Sequence, residues 1–220
     1  MSDQRKRIFI VDDHTLVREW LANLLHQEAD FEVCGQAEAA PAALAGMIGL
    51  KPAIAIVDLS LHGGSGLDLI KDLRETCPAT LIVVLSMHEE IYFVERAFRA
   101  GARGYVTKRD STNSIVTAIR TVLAGQVYAR ADILARLAER MVGQAVTNPA
   151  GSVELLSDRE LEVFRRLGEG QGTRKIATEM GLSMKTVQAY SARIKEKLGL
   201  TNASELMREA VRWVEGRQTT

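Results

Sequence analysis

Across the first 125 residues, short β-branched runs alternate with longer amphipathic stretches, and this alternation recurs five times. Repeated βα units of this kind build a parallel sheet covered by helices on both faces. The runs expected as strands are Ile8–Val11, Phe31–Ala37, Ile54–Asp58, Leu81–Ser86 and Gly104–Val106. Three of them are apolar on both faces, as a strand buried between two helical layers must be. The stretches between them predict helices over Thr15–Glu28, Pro41–Gly49, Gly66–Glu75, Ile91–Ala100 and Ser111–Ala124, with Pro41 suited to a first helical turn.

The pattern changes after Gly125. Asp132 is a candidate cap for a helix reaching about Met141, and the stretch from Gly143 to Ser152 mixes turn formers with a proline and has no period. From Ser157 onward no strand-like alternation is present, and four helices can be marked. The first opens with a capping box at Ser157-Asp158-Arg159-Glu160. The chain therefore divides into an α/β domain over 1–126, a linker over 127–152 and an all-α domain over 153–220. At 220 residues, 46% of them hydrophobic, it can support two separate cores.

Composition removes several classes of function. Lys plus Arg and Asp plus Glu each number 28, which excludes a polybasic coat and an acidic tail. Cys34 and Cys77 form no CxxC pair, so neither a disulfide framework nor a zinc ribbon is expected, and a reducing cytoplasm is the expected location. Apolar runs such as Leu81–Leu85 are far shorter than the roughly 20 residues of a membrane helix. No membrane partner is expected.

In an open α/β sheet, ligands bind beyond the carboxyl ends of the strands, where the strand order reverses. Asp12 and Asp13 end the first strand candidate and Asp58 ends the third, and a flavodoxin-like order makes those strands neighbours. Three bare carboxylates at close range raise one another's pKa or require a cation. A hard divalent ion, Mg²⁺, fits oxygen donors and leaves room for phosphate. Ser86, after the fourth strand, can donate to a phosphoryl oxygen, and Lys108, after the fifth, can neutralise another. Asp58 is then the nucleophile of a phosphoryl transfer. A lone Asp after a strand usually caps a turn, but Asp12, Asp13 and Asp58 in register with Ser86 and Lys108 on one sheet edge point to a site instead.

These residues resemble the receiver domain of two-component response regulators. The resemblance rests on Val11-Asp12-Asp13-His14, Asp58 within Val57-Asp58-Leu59-Ser60-Leu61, Gly66, Ser86, and Lys108 preceded by Gly101-Ala102-Arg103-Gly104-Tyr105. It implies phosphorylation of Asp58 by a histidine kinase. It also implies Mg²⁺ held by Asp12, Asp13, Asp58 and the backbone carbonyl of Ser60, with Ser86 and Tyr105 as switch residues. His88 and Ser60 fall where the family sets phosphoryl lifetime. Leu61-His62 replaces the common Met-Pro, so the loop after Asp58 can differ in shape. His14 and His62 are expected to flank the site without reacting, and the two cysteines to serve packing.

The helical domain carries 12 Lys and Arg against 10 Asp and Glu, but between Ser183 and Gly199 four basic residues face only Glu196. A short helix over Arg174–Met180, a Gly181-Leu182 turn, and Ser183 capping a longer helix make a helix-turn-helix. Val187, Ile194 and Leu198 form one apolar stripe on the longer helix, leaving Lys185, Gln188, Ala189, Ala192 and Arg193 for a major groove.

Residues 155–214 are similar to the DNA-binding domain of LuxR, or NarL/FixJ, regulators. The motifs are Leu156-Ser157-Asp158-Arg159-Glu160, Lys175-Ile176-Ala177, Gly181-Leu182-Ser183, Lys185-Thr186-Val187-Gln188 and Lys197-Leu198-Gly199. The resemblance implies a recognition helix from Met184 to Leu198 and a dimer contact through a last helix at Ala203–Val214. Base readout would fall to Gln188, Ala189, Ala192 and Arg193, and phosphate contacts to Arg174, Lys175, Lys185, Lys195 and Lys197. Tyr190 and Ala192 depart from the family's usual His and long basic residue.

The combined expectation is a transcription regulator that is not an enzyme in its own right. Phosphorylation of Asp58 would rearrange the domains or pair two copies on a two-fold double-stranded DNA site. A docking module that is never phosphorylated, and an aspartyl-phosphate phosphohydrolase, are the alternatives. The intact pocket argues against the first and the lack of a substrate insertion against the second.

Overall fold

The computed structural model describes residues 5–61, 64–89, 91–110, 112–143 and 153–215. They form two compact units, Met1–Gly143 and Gln144–Thr220. His62 and the 144–152 part of the expected linker lie outside the described residues.

The first unit alternates β1 (Lys6–Val11), α1 (Thr15–His26), β2 (Phe31–Ala37), α2 (Ala40–Leu50), β3 (Ile54–Val57), α3 (Gly66–Thr76), β4 (Leu81–Ser86), α4 (Ile91–Ala100), β5 (Gly104–Thr107) and α5 (Thr112–Leu123). The five strands are parallel in the order β2-β1-β3-β4-β5, so the order reverses between β1 and β3. This is the flavodoxin-like doubly wound sheet. Side chains alternate across each strand. Ile8, Ile10, Ile54, Ile56, Val83, Leu85 and Val106 pack on one face with Leu21 and Leu25 of α1 and with Ile115, Ile119 and Val122 of α5. Their alternates, among them Phe9, Val57, Val84 and Tyr105, are buried towards the other helical layer.

Two boundaries differ from the expected ones in ways that matter. β3 ends at Val57, so Asp58 is the first residue beyond the strand, where its carboxylate is free of the pleat. Helix α6 (Ala131–Gly143) starts one residue before Asp132, which is therefore not its cap. Asp132 lies in the first turn and chelates Arg130, Nε to Oδ1 at 2.9 Å and Nη2 to Oδ2 at 2.7 Å. The helix also belongs to the first unit rather than to a linker, because Ile133 is buried and α6 packs on α4.

The second unit has a 3-10 turn (Val153–Leu155) followed by α7 (Asp158–Gly168), α8 (Thr173–Glu179), α9 (Met184–Leu198) and α10 (Ala203–Glu215). The capping box is formed: Ser157 Oγ accepts from the Glu160 N–H and Glu160 Oε2 accepts from the Ser157 N–H at 2.7 Å. Helices α7 and α10 cross closely at Gly168, where a Cβ would sit 2.3 Å from the Ala210 carbonyl oxygen. Only glycine permits that approach. Among the described residues, no helix is long and apolar enough to cross a membrane.

Candidate functional site

Register brings the first cluster together. Val11 pairs with Val57 across β1 and β3, so the chain leaves both strands side by side with Asp12, Asp13 and Asp58 at their ends. Ser86 pairs with Thr107 across β4 and β5, which puts Lys108 on the same edge. Asp12, Asp58 and Ser86 are buried, at 1%, 2% and 0% exposure.

Lys108 Nζ lies 2.6 Å from Asp12 Oδ2 and 2.6 Å from Asp58 Oδ2, joining two carboxylates from different strands. The Ser60 N–H donates to Asp58 Oδ1 at 3.1 Å. Burial, reinforced by the Asp12 charge, pushes the Asp58 carboxyl above the usual carboxylate range in spite of Lys108. Burial works against the Lys108 ammonium too, but Asp58 and Asp12 outweigh it and raise its pKa. Two buried carboxylates thus lie against one ammonium on this edge.

One ligand atom each from Asp12, Asp13, His14 and Asp58 lie within 4.8 Å of one another. The carboxylates are hard oxygen donors on one rim, which suits a small divalent cation such as Mg²⁺. His14, exposed, holds its Nδ1 2.7 Å from Asp13 Oδ1 and so lies within the cluster that it was expected only to flank. Gly66, at the start of α3, presses on the loop that follows β3: a Cβ there would come within 2.0 Å of the Asp58 carbonyl oxygen.

Ser86 and Tyr105 converge on His88. Its N–H donates to Ser86 Oγ at 3.2 Å, its carbonyl accepts from the Tyr105 hydroxyl at 2.8 Å, and its ring Nε2 lies 3.0 Å from Ser60 Oγ. The same ring stacks on Phe93 in α4, with centroids 4.2 Å apart. Sequence reasoning placed Ser86 and Tyr105 but missed this junction. It also missed Arg18, whose guanidinium donates to the Asp12 carbonyl at 2.7 Å. An arginine one helical turn into α1 was the only signal for it.

In the second unit, Ser183 caps α9 by accepting from the Thr186 N–H at 3.0 Å. Val187, Ile194 and Leu198 are buried, so the opposite face is turned out. Lys185, Gln188, Ala189, Ala192 and Arg193 are exposed there, as are Arg174 and Lys175 on α8, while Lys195 is half-buried. Lys197 stands apart, because its ammonium is 2.6 Å from the capping-box carboxylate of Glu160. Burial alone would raise the Glu160 pKa, but Lys197 and the Ser157 N–H hold it below the usual range.

Residues 8–120 match the response regulator receiver domain family, and residues 154–210 match the luxR family of bacterial regulatory proteins. The chain is a response regulator. It is 36% identical over 201 residues to the transcriptional regulatory protein UhpA of Escherichia coli strain K12, covering 91% of this chain and 95% of that one. It is 32% identical over 210 residues to the oxygen regulatory protein NreC of Staphylococcus aureus, covering 94% and 97%. The RcsB response regulator of Salmonella typhimurium superposes with a TM-score of 0.65 at 25% identity, covering 94% of this chain and 98% of that one. A structure of the RcsB–DNA complex superposes with a TM-score of 0.58 at 25% identity, covering 93% and 97%.

A receiver joined to a LuxR-type helix-turn-helix makes this response regulator a DNA-binding transcription regulator under phosphorylation control. A receiver domain implies a kinase as partner.

Proposed function

We propose that Asp58 is the phosphoacceptor of this response regulator and that α9 is its recognition helix. The observation that carries the first assignment is the Lys108 ammonium held 2.6 Å from Asp58 on a buried edge with Asp12. An Asp58 carboxylate oxygen attacks the phosphorus of a kinase phosphohistidine, a P–O bond forms as the P–N bond breaks, and the imidazole leaves and takes a proton from solvent. Lys108 neutralises one phosphoryl oxygen, and the Ser86 hydroxyl turns from the His88 N–H to donate to another. Asp12, Asp13, Asp58 and the Ser60 carbonyl would hold Mg²⁺, which supplies charge neutralisation at the phosphoryl group. Self-phosphorylation from small donors and slow hydrolysis at Asp58 follow from the same groups, without an external substrate.

On DNA, Gln188 and Arg193 read base edges while Ala189 and Ala192 let α9 approach the groove floor. Arg174, Lys175, Lys185 and Lys195 contact phosphates, and Lys197 does so only by loosening its pair with Glu160. Two phosphorylated copies pair through α10 on a two-fold site.

Intact mass after incubation with acetyl phosphate tests the chemistry. A single Mg²⁺-dependent adduct on the native chain, absent from Asp58→Ala, is expected. An adduct that persists in Asp58→Ala overturns the assignment.

A further inference from the structure

The last residue of β5 carries a polar group with no visible employment. Thr107 is 1% exposed, and among the described residues its Oγ1 has no hydrogen-bond partner. A buried hydroxyl in that condition costs free energy that an apolar side chain of the same shape would not. Valine, which stands at 106, would serve the strand as well.

Register fixes what lies beside it. Thr107 pairs with Ser86 across the parallel β4–β5 ladder, one step beyond Leu85 and Val106, whose side chains join the core layer of α1 and α5. Side chains alternate along a strand, so Ser86 and Thr107 share the opposite face, that of Val84 and Tyr105. Neighbouring strands run about 4.8 Å apart, within reach of a hydrogen bond between two hydroxyls on one face. Both backbones are pinned. The Lys108 N–H donates to the Ser86 carbonyl at 2.8 Å, and the Thr107 N–H donates to Asp110 Oδ2 at 2.8 Å.

Only the side chains can turn, and serine turns more easily than threonine, which is branched at Cβ. Strand order puts Ser86 on β4 between β3, which leads into Asp58, and β5, which ends in Thr107. Its Oγ already accepts from the His88 N–H, so what it has left to give is one hydroxyl proton. A turn of about 120° about χ1 aims that proton at one neighbouring strand or the other.

We propose that Thr107 is a positioning residue for phosphoryl binding: its Oγ1 is the alternative acceptor for the Ser86 hydroxyl, so Thr107 and the phosphoryl group on Asp58 compete for one proton. This rests on Asp58 being the phosphoacceptor. Thr107 acts through Ser86 and not on the phosphoryl group itself. Its hydroxyl lowers the fraction of chains in which Ser86 is poised to donate inward, and the affinity of the pocket for a phosphoryl group falls by the same factor.

Equilibrium binding of the phosphomimetic BeF₃⁻ to the full chain in Mg²⁺, followed by fluorine NMR, tests this. Thr107→Val is expected to bind about threefold more tightly than the native chain. Thr107→Ser, which keeps the hydroxyl, should bind as the native chain does. The decisive comparison is made in a Ser86→Ala background, where Thr107→Val should change nothing because the shared proton is gone. Thermal melts accompany the titrations, and Thr107→Val is expected to melt no lower than the native chain, since it removes an unpaired buried hydroxyl. Native binding with an unchanged affinity in Thr107→Val overturns the role of Thr107 and leaves the phosphoacceptor standing. A gain that persists in the Ser86→Ala background overturns it too, because the hydroxyl would then act by another route. Absence of BeF₃⁻ binding by the native chain overturns the phosphoacceptor reading, and the role of Thr107 with it.

Discussion

The Lys108 ammonium is 2.6 Å from Asp58 Oδ2, across a span of fifty residues in sequence, and it shares its charge with Asp12. Burying Asp12 and Asp58 together against this ammonium leaves the Asp58 carboxyl harder to ionise. Its consequence is a pH dependence of stability.

In the folded chain the Asp58 carboxyl titrates above its unfolded value of about 3.9. The unfolded state therefore loses its proton first, and the receiver loses stability as pH rises from about 4 through the folded pKa, then levels off. In EDTA, Asp58→Asn should melt with the native chain near pH 4 and above it at pH 7, by about 2–4 °C for roughly 1 kcal/mol. Thermal melts across that range decide it; a variant that melts lower at pH 7 would show Lys108 to dominate the pocket.

Glu160 runs the opposite way. Its pKa is lowered by Lys197 and the Ser157 N–H, so its contribution is complete above the unfolded value of about 4.3 and is lost as pH falls through the folded one. Glu160→Gln is expected to destabilise the helical unit by about 1–2 kcal/mol at pH 7. The gap to the native chain should close below about pH 4, as followed by urea midpoints.

Gly66→Ala places a methyl 2.0 Å from the Asp58 carbonyl oxygen, which is backbone and cannot swing aside. The start of α3 must retreat, at a cost of about 1–3 kcal/mol. Acetyl phosphate labelling should slow with it, because the displaced loop carries the proposed nucleophile. Native-like labelling and stability together would rule out the close approach.

DNA binding separates the basic residues of α9. Lys185→Ala should weaken all sequences alike and lower the salt slope by about 1, whereas Gln188→Ala should cost about 1–3 kcal/mol on a preferred site alone. Lys197→Ala should alter stability more than salt slope, since its ammonium serves Glu160. Anisotropy titrations at several salt concentrations distinguish these outcomes, and a Lys197 slope change equal to that of Lys185 would place it on the phosphates.

The sequence by itself determined the doubly wound sheet, the second helical domain, and the gathering of Asp12, Asp13, Asp58, Ser86 and Lys108 at one edge of the sheet. Strand periodicity and residues stranded at strand ends are local signals, and local signals survive in one dimension. The Ser183 cap and the apolar stripe of α9 were legible too, because both lie within the helix and its immediate flank, while its extent followed from the family resemblance. What only the tertiary structure decided depends on contacts between distant segments. Nothing local marks His88 as the meeting point of Ser60, Ser86, Tyr105 and Phe93. Helix α6 read as linker because its burial rests on Ile133 finding α4 and on Tyr128 finding the β5 edge. Lys197 was expected only as a phosphate contact because its partner, Glu160, stands thirty-seven residues earlier, at the start of α7. Charge and periodicity tell what a residue can do; the packed fold tells which partner takes it.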